Sequence, residues 1–169
     1  MTFPYFAYGS NMLTRRLSSR VGSVEKVCVG FVSGRTLTFD KRSIDGSGKC
    51  DCSPSQNKDD LVYGVLFRVA ESGREALDRH EGAGRGYHVE HLTVHRTDGN
   101  RNVDALTYVA DVNAKDPSLR PYDWYKRHVL SGAEEHDLPA GYIDQFIKTV
   151  QSKSDPDDAR RAREEVIYP

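Results

Sequence analysis

The chain has 169 residues, 37% of them hydrophobic and 29% charged, with a formal net charge of -1. That length suits one domain with a real core and is short for two, and the balance is that of a globular protein, far from a disordered one. Near-neutral charge excludes the basic field that nucleic acid or anionic lipid would need, and no apolar segment reaches membrane-spanning length, so neither is an expected partner.

Residues 3–8 alternate and are rich in aromatics, which predicts a buried first strand. Gly9-Ser10-Asn11 breaks that pattern, and Met12 to Leu17 carries helix formers, so a short helix is expected to start there. Residues 24–39 read as one or two strands, whereas residues 40–60, rich in Asp, Ser, Gly and Lys, read as an exposed loop open to partial ordering. The continuous apolar run of residues 61–69 is the strongest candidate for a central strand, and a helix is expected over residues 71–80. Residues 87–96 and 103–110, joined by a turn at Asp98-Gly99-Asn100, predict a hairpin. Helical signals follow in residues 121–130 and 141–151. The charged segment 152–169 is expected to be a tail, either a solvated helix or a frayed end, outside a domain of residues 1–151. Non-adjacent strands with short helices imply an α+β single domain whose small mixed sheet closes like a barrel, with flanking helices.

The first eight residues lack the charged n-region and apolar h-region of a secretory signal. Three cysteines, Cys28, Cys50 and Cys52, are an odd number, and Cys-Asp-Cys is too tight for an easy bridge. Reduced thiols in a cytoplasmic setting are therefore expected.

Two places hold residues suited to chemistry. At Tyr8-Gly9-Ser10-Asn11-Met12 a glycine permits close backbone approach where a helix is expected to begin, and unpaired amides there suit a carboxylate or oxyanion; an ordinary capped turn is the plainer alternative. Glu81 follows a helix and precedes Gly82-Ala83-Gly84-Arg85-Gly86, so its carboxylate stands where the backbone becomes permissive; a solvent-exposed helix end is the plainer reading. Those glycines follow a helix and have G-x-G-x-G spacing, so they do not form a dinucleotide fingerprint. His88 is expected on the opposite strand face from His91 and His95, which disfavours a shared metal site. Tyr122, Trp124 and Tyr125 form an aromatic cluster, most simply a packing feature, though a tyrosine hydroxyl can also hold a ligand's polar end.

Tyr5-Phe6-Ala7-Tyr8-Gly9-Ser10-Asn11-Met12 and Leu77-Asp78-Arg79-His80-Glu81-Gly82, with Gly86-Tyr87 and the segment Trp124 to Ala133, closely resemble the γ-glutamylcyclotransferase family, also described as AIG2-like. The resemblance implies cyclisation of a γ-glutamyl amide to 5-oxoproline with release of an amine, without metal or cofactor. It implies Glu81 as the catalytic residue and Tyr8, Gly9, Ser10, Asn11, Met12, Tyr87 and Tyr125 as substrate contacts. A γ-glutamylamine, a γ-glutamyl-protected intermediate, and a binding module without turnover are the alternative readings. The expected partner is a small γ-glutamyl molecule, and a homodimer is left open.

Overall fold

In the computed structural model, which describes residues 1–168, the apolar run predicted as the central strand is β5 (Leu61–Ala70). It lies between β1 (Thr2–Ala7) and β2 (Val24–Ser33), antiparallel to both. Val62, Val65, Leu66, Phe67 and Val69 are all buried. An unbroken apolar run is what a strand covered on both faces requires.

From β2 the sheet passes to β6 (Tyr87–Arg96) and then β7 (Val103–Ala110), the predicted hairpin, whose register runs from Tyr87↔Ala110 to Val94↔Val103. A parallel contact at Tyr5↔Leu106 returns β7 to β1 and closes a barrel of order β1-β5-β2-β6-β7. The expected α+β architecture with a small closed sheet is the one observed, and closure removes the sheet edges.

The helices α1 (Thr14–Val21), α2 (Arg74–Glu81) and α3 (Asp123–Glu135) flank the barrel. A short helix α4 (Ala140–Tyr142) continues into a wider π-helical turn, Ile143–Lys148. No helix among the described residues is long and apolar enough to cross a membrane.

Residues 40–60 depart from the sequence expectation. They contribute to a two-stranded ribbon of β3 (Arg35–Arg42) and β4 (Gly48–Pro54) laid beside the barrel, and Cys50, Asp51 and Cys52 are buried. Asp51 pairs with Lys115 Nζ at 2.5 Å and accepts hydrogen bonds from Ala110 N at 2.7 Å and Ser53 Oγ at 2.6 Å, which fastens β4 to the end of β7. Polar composition suggested solvent, but these polar groups satisfy one another and so can be buried.

The segment after Gln151 forms α5 (Asp158–Glu165), capped by Asp157, whose side chain accepts from Arg160 N at 2.8 Å. Its charges have partners on the body of the protein. Asp155 accepts from Trp124 Nε1 at 2.8 Å and from Arg160, while Glu164 bridges Arg16 of α1 and the buried His128 of α3.

Candidate active site

The strand-to-helix passage after β1 builds one wall of the site. A 3₁₀ turn, Ser10–Met12, comes first; Leu13 is extended, and α1 starts only at Thr14. Met12 N donates to Gly9 O at 3.0 Å and Leu13 N to Ser10 O at 3.3 Å. The earlier amides of such a turn have no internal acceptor, which leaves those of Ser10 and Asn11 for a ligand.

Met12 differs from the expectation for this loop. Its amide is used inside the turn and its side chain is fully buried in the core, so it does not line the cleft. Gly9 is needed for space: a Cβ there would lie 3.0 Å from Cys50 Cβ and 3.4 Å from Tyr125 Oη. The glycine thus lets β4 and α3 close against the turn.

Glu81 is the last residue of α2, which stops because Gly82 takes the left-handed conformation at φ 68°. Its Oε1 accepts from Asn11 Nδ2 at 2.7 Å and from Arg20 Nη1 at 3.2 Å. Arg20 Nη1 also donates to Asn11 Oδ1 at 2.9 Å, and Asn11 Nδ2 donates to Tyr5 Oη at 3.0 Å. The two sequence motifs, separated by 70 positions, therefore meet through one hydrogen bond. Burial, helped by nearby Arg16, pushes the Arg20 guanidinium below its usual pKa, and the Glu81 charge opposes that shift. An arginine starts so high that it stays charged.

The remaining walls of the cleft include Tyr8, Tyr87, Tyr108, Tyr125 and Cys50. Tyr125 Oη accepts from Cys50 N at 3.0 Å and Tyr87 Oη donates to Cys50 O, so the two rings hold both backbone polar groups of one residue of β4. Burial pushes the Tyr8, Tyr87 and Tyr125 phenols well above their ordinary pKa. They remain neutral donors and acceptors. The Cys50 thiol is also pushed up by burial, which removes it as a nucleophile.

Seven of the eight residues expected at the site line this cleft: Tyr8, Gly9, Ser10, Asn11, Glu81, Tyr87 and Tyr125. Tyr5, Tyr108 and Arg20 were not among them. The spacing of Arg16 and Arg20, one turn apart on α1, is the signal that could have pointed to Arg20. The hairpin histidines are occupied elsewhere, His88 with Asp111 at 2.7 Å and Glu90 at 2.9 Å, and His95 stacked on Phe31. In the aromatic cluster only Tyr125 reaches the cleft, since Tyr122 Oη donates to Asp45 O and Trp124 is held by Asp155.

Fold and site together define a small closed-barrel protein with one carboxylate held among neutral phenols beside a glycine turn. A family model described as the AIG2-like family matches residues 61–146, the stretch that carries Glu81, Tyr87 and Tyr125. Gamma-glutamylcyclotransferase of Mus musculus is 32% identical over 150 residues, covering 86% of this chain and 77% of the mouse protein. The Homo sapiens protein of that name is 30% identical over 149 residues, with the same coverage of 86% and 77%. A solved structure named gamma-glutamyl cyclotransferase superposes with a TM-score of 0.86 at 27% identity, covering 99% of this chain and 98% of that one. The chain belongs to the γ-glutamylcyclotransferase family.

Proposed function

We propose that this chain is an enzyme that converts a γ-glutamyl amide to 5-oxoproline and a free amine, with Glu81 as the catalytic residue. The observation that carries this reading is the hydrogen bond from Asn11 of the glycine turn to Glu81 Oε1, which sets a proton acceptor beside unpaired amides in the tyrosine-walled cleft.

In this reaction the α-amino nitrogen of the γ-glutamyl group attacks its own γ-carbonyl carbon. A carbon–nitrogen bond forms, the amide carbon–nitrogen bond breaks, and no water is consumed. A proton must leave the attacking nitrogen and another must reach the departing one. Asn11 and Arg20 occupy Oε1 of Glu81, so Oε2 is the oxygen that takes the first proton and returns it to the leaving amine. The amides of Ser10 and Asn11 serve the oxyanion that develops on the γ-carbonyl. Tyr8, Tyr87 and Tyr125 enclose the substrate in a ring-closing shape. Such positioning in an intramolecular attack can supply several kcal/mol, on the order of 7 or more in the best cases.

The steps balance without an electron carrier or a metal, so we further propose that neither is required. The test is to incubate the metal-stripped protein with γ-glutamyl-alanine and quantify 5-oxoproline and alanine. Equimolar release of both supports the reading; absence of 5-oxoproline from γ-glutamyl amides across a panel of amines would reject it.

A further inference from the structure

The charged segment beyond Gln151 reaches the glycine turn through one buried side chain. Arg16 of α1 is only 7% exposed, and its Nη1 pairs with Glu164 of α5. Its Nε donates to Ser10 Oγ at 3.3 Å. Glu164 is itself held on both sides of that pair: His128 Nε2 lies 3.3 Å from the oxygen that meets Arg16, and His128 Nδ1 lies 2.7 Å from Tyr168 Oη. Arg15 Nη1 donates to Ile167 O at 2.7 Å, a second tie between α1 and the residues after α5.

Among the described residues, Arg16 is the one group hydrogen-bonded to the Ser10 hydroxyl. A guanidinium offers donors and no acceptor, so Ser10 Oγ must accept from it. The hydroxyl's own proton is then left for a ligand in the cleft, whose wall Ser10 helps to form. A serine hydroxyl without such a partner rotates to suit its surroundings. The Arg16–Glu164 pair is a poor candidate for a mere stabilising clip, because desolvation offsets much of the attraction in a largely buried ion pair. What the pair does supply is direction, since it fixes one arm of the guanidinium while the other meets Ser10.

Resting on the cyclotransferase reading above, we infer that α5 belongs to the catalytic apparatus, with Glu164 and Arg16 as positioning residues that aim the Ser10 hydroxyl at the γ-glutamyl group. Glu164 lines neither the cleft nor the cavity that adjoins it at Glu81 and Tyr87, so its effect on turnover passes through the groups it holds.

The test is a double-mutant cycle of Glu164→Leu and Ser10→Ala, in which kcat/KM for 5-oxoproline release from γ-glutamyl-alanine is measured for all four proteins, with a thermal melt to show that each is folded at the assay temperature. Ser10→Ala alone should lower kcat/KM about fivefold to tenfold, as the loss of one hydrogen bond to the substrate implies. Glu164→Leu should cost about fivefold when Ser10 is present and under about twofold in the Ser10→Ala protein, where no hydroxyl is left to aim. An unchanged kcat/KM in Glu164→Leu overturns the positioning role. So does an equal fractional loss in both backgrounds, which is what a tail that only stabilises the fold would give. Should Glu164→Leu fail to fold, Glu164→Gln carries the same comparison, because it removes the charge that pins Arg16 but keeps an acceptor; about threefold is then expected, again only with Ser10 present. Absence of 5-oxoproline from the wild type overturns the cyclotransferase reading and the positioning role with it, whereas an active wild type with additive losses overturns the positioning role alone.

Discussion

Replacing Glu81 with glutamine removes one proton-accepting oxygen and little else. The glutamine carbonyl can stand where Oε1 stands, so Asn11 Nδ2 and Arg20 Nη1 keep the acceptor they now reach at 2.7 and 3.2 Å. What disappears is the charge beside Arg20 and the basicity of Oε2. The first loss affects stability: the Glu81 side chain is 18% exposed and that of Arg20 16%, and a pair that keeps its hydrogen bond but not its charge should cost about 1–2 kcal/mol. The second affects rate. General acid–base catalysis by a positioned carboxylate is worth roughly 10²–10⁴-fold, or about 2.7–5.4 kcal/mol at 1.36 kcal/mol per tenfold. Glu81→Gln should therefore fold, melt a few degrees lower, bind substrate with a KM within a few-fold of wild type, and lose at least about 10² in kcat. Steady-state 5-oxoproline release over a range of γ-glutamyl-alanine, with a thermal melt of the same preparation, gives all of these values. A variant that retains kcat within about threefold would refute the proton-transfer role, because the reasoning assigns no other group that task.

Three further outcomes follow from the same geometry. Gly9→Ala would press its methyl group on Cys50 Cβ at 3.0 Å. It should cost about 1–3 kcal/mol in a denaturant melt and about 10²-fold in kcat/KM; full activity would mean that β4 yields without disturbing the cleft. Tyr125→Phe strips the acceptor from the buried Cys50 amide, so it should lower stability by about 1–3 kcal/mol as well as raise KM, whereas an unchanged melt would show that the contact is dispensable. The fold should also weaken in acid. Burial holds His128 and His136 below the ordinary 6.5, so the unfolded chain binds more protons and stability falls as pH drops below that value. Burial alone would raise the Glu164 carboxyl, but His128 and Arg16 bring it down to about 2, so its contribution is present above 4.5 and is lost as pH falls toward 2. A melting temperature flat from pH 7.5 to 2, in steps of about one unit, would contradict both assignments.

The elements that sequence made legible are those in which one physical demand controls composition. β5 is covered on both faces along most of its length, so it is apolar but for the exposed Arg68, and the β6–β7 hairpin turns at a glycine with φ 78°. Residues 40–60 were misread because β4 is buried by mutual satisfaction of polar groups: Asp51 and Ser53 of β4 close their set with Lys115, which comes from a distant part of the chain. In the tail a helix was one of the two readings that its charges allowed, but the contacts it makes were not legible, since Glu164 and Asp155 look solvated until Arg16, His128 and Trp124 are seen to face them.

At the site, Tyr8 to Asn11 and Glu81 could be picked out because a turn after a strand and a carboxylate before glycines are local patterns. That Asn11 touches Glu81 is a property of the barrel's closure, which no local pattern contains. Arg20 was overlooked because a surface arginine and a buried one are written with the same letter. Only the location of its partners, Glu81 and Asn11, separates it from the other arginines of α1.

The central claim is that the γ-glutamyl group closes on its own nitrogen in place of being hydrolysed. The most direct measurement is to run the reaction on γ-glutamyl-alanine in ¹⁸O-labelled water and analyse the products by mass spectrometry. Cyclisation predicts unlabelled 5-oxoproline and alanine in equal amounts; glutamate carrying one ¹⁸O, with no 5-oxoproline, would contradict it.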